Sequence, residues 1–159
     1  MSEVNRILDQ MTRAFEGDAW HGPSLRESLA GIDARQASAH PIPNAHSIWE
    51  IVLHLAAWLP AIRARCEGRA VELDGVDDWP PVRETSESSW HAALATLEQR
   101  HRDLLTYVRN LQDSRLADPI PNRDYDVYFL LHGALQHHLY HAGQIVVLKK
   151  ALAARATGS

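Results

Sequence analysis

His137 and His141 stand four residues apart in LLHGALQHHLYHAGQIVVLKKA, residues 130–151. In a helix of about 3.6 residues per turn their rings stack on one face. Two imidazoles held that way by the backbone can grip one divalent ion. Gly133 lies one turn before His137, and Gln144 lies about one turn after His141. A glycine inside a helix costs about 1 kcal/mol relative to alanine. Close approach of a metal-bound ligand or of another helix would explain it. A third ligand has to come from another element, and His54 is the best candidate. It lies in HSIWEIVLHLAAW, residues 46–58, with Ile51, Leu55 and Trp58 on nearby faces. An unpaired imidazole in such surroundings is costly. Glu50, one turn before His54, could orient a ligand, bind the ion or act as a general base on a metal-bound water. Its position also fits a helix cap, which accounts for it without any catalytic role.

The spacing leaves alternatives open. Each of the three histidines could instead be a core residue bonded to a backbone carbonyl. His138, adjacent to His137 and about 100° away from it, could pair with His141. The chain has ten histidines in all, which raises the chance of such coincidences. His101 reads as a buried, hydrogen-bonded residue. His91 and His132 read as surface or interface positions. His21 and His46, in or next to loops, are either solvated or rim a pocket mouth. Trp20, Trp49 and Trp58 read as core and Tyr140 as packed. Cys66 is twelve residues from His54, about 18 Å along a helix and about 120° around it. That makes it a small residue at a helix end rather than a nucleophile.

Four stretches carry the helical period that would position these groups. Over residues 2–16, Val4, Ile7, Leu8, Met11 and Phe15 share a stripe, which Gly17-Asp18 ends. A second helix spans about 47–67. Ser47 and Glu50 give it the S-x-x-E capping box, and Pro60 predicts a kink or a break just before it. A third, about 86–112, repeats Trp90, Leu94, Leu97, His101, Leu104, Val108 and Leu111 at alternating steps of four and three. That is the seam of a helix packed at a shallow angle. The fourth, about 125–153, has Asn122 or Asp124 as its cap and is apolar over so much of its circumference that it reads as the most buried. Ser24 to Ala30 reads as a short helix. Residues 68–84 and ADPIPNRD read as loops. The expectation is one all-α domain over residues 1–159, a four-helix bundle.

Composition agrees with an ordinary globular protein: 159 residues, 45% apolar and 23% charged. A net charge of −4 and no dense Lys/Arg run argue against a nucleic-acid partner. No stretch approaches the ~18 apolar residues of a membrane span. There is no secretory h-region, and the single cysteine gives no sign of an oxidising compartment, so a cytoplasmic location is the expectation.

Residues 46–58, AWHGPSL at 19–25 and above all the H-x-x-x-H-x-G-Q block from His137 to Gln144 resemble the DinB-like superfamily (DinB/YfiT type). Its members are grouped as metal-dependent enzymes, most without an established reaction, and the resemblance covers roughly residues 2–153. It implies a four-helix bundle with a three-histidine site formed by His54, His137 and His141. It implies zinc or nickel as the ion, positions left open to water, and a homodimer. Some relatives transfer low-molecular-weight thiols. The expected function is therefore a metal-dependent hydrolase or thiol transferase acting on a small molecule. The alternative is a non-catalytic metal-binding or dimerisation module in stress response.

Overall fold

The structure is a computed structural model and describes residues 2–157. Among these residues every regular element is a helix, and the one β contact is an isolated antiparallel bridge between Pro119 and Asp126. The α-helices are α1 (Glu3–Glu16), α2 (Leu25–Leu29), α3 (Ala34–Ser38), α4 (Ile48–Cys66), α5 (Gly75–Asp78), α6 (Glu87–Arg109) and α7 (Val127–Thr157), with a 3-10 turn at Asp113–Ala117. The long helices α6 and α7 each lie against both α1 and α4. No helix among the described residues is long and apolar enough to cross a membrane.

The helix starts follow local side-chain chemistry. Ser47 Oγ accepts from Glu50 N at 3.2 Å while Ser47 N donates to Glu50 Oε2 at 2.8 Å, the reciprocal box expected for α4. Ser24 and Glu27 do the same for α2. For α7 the cap is Asp126, not Asn122 or Asp124. Its Oδ1 accepts from Phe129 N at 2.9 Å, and Asn122 lies in a left-handed turn before it. Three short elements escape the periodicity: α3, α5 and the 3-10 turn have five residues or fewer, too few to show a repeat. The 68–84 stretch is therefore not all loop.

Pro60 does not break α4, which runs unbroken to Cys66. A proline removes the N–H that would bond the carbonyl four residues back. Here that carbonyl, on Ala56, accepts from Arg100 Nη1 of α6 at 2.8 Å. The most buried helix is also α4, not α7. Covered by α3, α5, α6 and α7, α4 buries thirteen of its nineteen residues. In α7, Phe129, Tyr140 and Val147 lie at nearly the same angle around the axis and are exposed. Ile51 and Leu55 on α4, Ala142 on α7, and Leu97 and Leu104 on α6 belong to one hydrophobic core.

His101 lies in that core, stacked on Phe15 with ring centroids 3.8 Å apart, and its two ring nitrogens have no hydrogen-bond partner. It is buried as expected, but not hydrogen-bonded. Burial, then Arg26 and Arg102, lowers its pKa to about 3, and the edge of the buried His138 ring completes its surroundings. Such a ring stays neutral in the fold but charges near pH 6.5 once unfolded. Its contribution to stability is whole above about pH 6.5 and is lost as pH falls from there toward 3. The urea midpoint should therefore drop between pH 7.5 and pH 5, and should drop less in His101→Leu. Identical drops in the two proteins would show that His101 does not carry this dependence.

Candidate metal centre

His54, the seventh residue of α4, is buried where α4 packs on its neighbours. The α7 spacing places His137 and His141 on the side facing α4. The three rings converge. His54 Nε2 lies 2.9 Å from His137 Nε2, and His141 Nε2 lies 3.1 Å from the same atom. One ligand atom from each residue falls within 4.8 Å of the others. Among the described residues no further His, Cys, Asp or Glu joins this group.

The outer nitrogens decide what the inner ones can be. His54 Nδ1 donates to the Asp78 carbonyl at 2.8 Å and lies 3.0 Å from Asp78 Oδ1. His141 Nδ1 donates to Gln144 Oε1 at 2.7 Å. A neutral imidazole has one N–H, so the Nε2 of both rings is a bare lone pair. Both lone pairs face His137 Nε2, which has at most one proton to offer. At least one close nitrogen pair is therefore left lone pair against lone pair unless a cation lies between them. Protonation of His137 or His141 does not supply that cation near neutral pH. Burial, then the neighbouring His141 and His54, lowers His137 to about 3, and burial lowers His141 to about 4. The two Nε2–Nε2 separations are ones that a shared divalent ion would give. At metal–nitrogen distances of about 2.0–2.1 Å, adjacent ligands sit about 2.9 Å apart in an octahedron and about 3.3 Å apart in a tetrahedron.

The segment after α4 backs this cluster. Trp79 is sandwiched between His54 and His46, with centroids 3.9 and 3.6 Å away and planes within 9° and 6° of parallel. Trp58 Nε1 donates to Asp78 Oδ1 at 2.7 Å, locking the residue that orients His54. Asp78 and Trp79 were not among the residues singled out from sequence. They lie in a Gly- and Pro-containing stretch with no period to aim them, and the Asp-Asp-Trp-Pro run was the one available signal.

The remaining expectations divide. The His138–His141 pairing is overturned: His138 turns away into the core beside Phe15 and His101. Glu50 caps α4, and its carboxylate also lies 3.2 Å from His40 Nε2 and 3.3 Å from His46 Nδ1. Partial burial works to raise its pKa, but the Ser47 N–H and the two rings outweigh it and hold it below the ordinary value. It is not among the three residues whose ligand atoms converge. Trp49 is core, as expected, but Trp20 and Tyr140 are exposed. Trp58 is half-buried and lines a pocket. His21 and His91 are exposed, and His132 is half-buried against Tyr128. Gly133 has open space where a Cβ would stand, not the close neighbour expected of it. Cys66 is buried, and desolvation pushes its thiol up to about 12, far from a nucleophile's range.

Two pockets reach the cluster. One of about 700 Å³ opens on His141 between His46, Trp79, Tyr140 and Gln144. The other, about 300 Å³, opens on His137 beside Trp58 and Gly133. Comparison with curated proteins and with solved structures gave no match. Comparison with family models matched that of the DinB superfamily over residues 19–145, a stretch that contains His54, His137 and His141 with the Asp78–Trp79 support between them. Since that match spans well over half of the sequence, the chain belongs to the DinB superfamily.

Proposed function

We propose that the protein is a metal-dependent enzyme acting on a small molecule. In this reading α1, α4, α6 and α7 form a four-helix bundle, and His54, His137 and His141 hold one divalent ion inside it. The observation that supports it most is the pair of Nε2 lone pairs, from His54 and His141, aimed at the same edge of His137. Imidazole donors suit zinc and nickel. A bound ion of this kind lowers the pKa of water or of a thiol and polarises a carbonyl, which makes hydrolysis and transfer of a low-molecular-weight thiol the two reactions in view.

The residues around the ion take the other tasks. Asp78 and Gln144 fix the ring tautomers and orientations of His54 and His141. Trp79 stacks on the His54 ring, and Trp58 holds Asp78 in place. His46, held between the Glu50 carboxylate and the Trp79 face, is placed at the larger pocket to accept or return a proton. Three protein ligands leave at least one position open, and a pocket of about 700 Å³ reaches His141. This favours catalysis over a closed structural site.

Elemental analysis of untagged protein tests the reading. About one ion per chain is expected, as purified or after incubation with zinc or nickel. Protein that takes up neither overturns it.

A further inference from the structure

The wall of the smaller pocket contains a charge. Arg65 lies eleven residues after His54 on α4, about 20° away around the helix and about 16 Å along it. It is 5% exposed. Its Nε donates to the Val71 carbonyl at 2.9 Å and its Nη1 to Tyr125 Oη at 3.4 Å. Nη2 makes no hydrogen bond among the described residues. The nearest carboxylate oxygen, Glu72 Oε2, is 3.8 Å away, and Arg123 Nη2 donates to that same atom. A guanidinium offers five N–H donors and stays charged. Buried with so little compensation, it is costly unless something else pairs with it.

The rest of the pocket is apolar: Ile62, Phe129, Leu130 and Ala134, with the Trp58 and Tyr125 rings. At its far end is His137. The Trp58 ring lies 5.1 Å from the Arg65 guanidinium carbon and 6.0 Å from the His137 ring, so the charge and the histidine cluster are at most about 11 Å apart. Gly133 keeps the passage open, since a side chain there would project into it.

We propose that this pocket binds a small organic carboxylate, its charge paired with Arg65, its apolar body against Trp58 and Phe129, and its other end directed at the histidine cluster. The inference names a substrate class for the metal centre and to that extent rests on the reading above. A carboxylate suits the site better than a phosphate. One guanidinium fork matches one planar, singly charged group, and the second nearby cation, Arg123, is engaged by Glu72. A pocket of about 300 Å³ is at the small end of the range for small-molecule sites, and its mostly apolar lining fits a compact organic body.

The test is calorimetric titration of 3-phenylpropanoate and its neutral amide, 3-phenylpropanamide, into the full-length protein, both as purified and stripped of metal. The acid should bind at least tenfold more tightly than the amide. Arg65→Met should abolish that preference with metal content unchanged, and Arg65→Lys should keep part of it. Should Arg65→Met fail to fold, nuclear magnetic resonance of the wild type decides. The acid should shift the Arg65 Nε–H and Trp58 Nε1–H signals, and unshifted signals overturn the proposal. Equal binding of acid and amide overturns it, as does an acid preference that survives in Arg65→Met, which would place the carboxylate on the ion. Protein with one ion per chain and no acid preference refutes the pocket alone. An acid preference in protein that takes up no metal refutes the metal reading alone.

Discussion

His137→Ala is expected to weaken binding of zinc or nickel by more than about 100-fold while leaving the helical fold intact. Losing a residue that merely orients a ligand costs about 10–100-fold in affinity, and His137 is the ring on which both other Nε2 atoms converge. The same change should leave metal-free protein as stable as the wild type, or more stable. Without an ion at least one of the two facing lone pairs repels His137 Nε2, and the ring is half-buried beside an open pocket, so its removal leaves little new cavity. A histidine that served only packing would show the opposite sign. Competition against a chromophoric chelator gives the affinity, and urea denaturation in chelator gives the stability. Unchanged affinity, or a clear loss of metal-free stability, would mean that the three rings are structural.

Trp90→Ala should have the largest effect on the fold, a loss of about 3–5 kcal/mol from the cavity alone. Trp90 is fully buried. Its ring packs on Trp49 of α4 at 5.2 Å, and its Nε1 donates to the Ile32 carbonyl at 2.8 Å. One side chain therefore joins α6, α4 and the connection between α2 and α3. Truncation also leaves the Ile32 carbonyl without its donor, which adds about 1 kcal/mol or more. Against a total stability of about 5–15 kcal/mol, this brings the protein close to unfolding at room temperature. A shift in urea denaturation of less than about 1 kcal/mol would contradict the packing described for α6.

The long helices were legible because they are repetitive. Val4, Ile7, Met11 and Phe15 on α1, and Trp90, Leu97, His101, Leu104 and Val108 on α6, are buried as their spacing implies. The capping box at Ser47 marked the start of α4 to the residue. Two judgements made on the same footing did not survive, for one shared reason. Of the kink or break read at Pro60, the break is absent, because Arg100 of a different helix gives the freed Ala56 carbonyl a donor. The rank of α7 as the most buried helix assumed that apolar residues attract cover on every side, yet Phe129, Tyr140 and Val147 remain exposed. Both outcomes depend on what lies across the interface.

The candidate site divides along the same line. The meeting of His137 and His141 was determined by the sequence, because a helix holds residues four apart on one face whatever packs against it. The convergence of His54 with them, 83 residues before His137 in the chain, required α4 to pack on α7 in one register. Only the tertiary structure decided that His138 turns away, that the Asp78 carbonyl makes His54 Nε2 a lone pair, that Trp79 lies between His46 and His54, and that Arg65 faces the pocket ending at His137. Local spacing acts through the rigid geometry of a single helix. Tautomers, stacking partners and pocket walls belong to pairs of elements whose relative placement depends on the packing of the whole core.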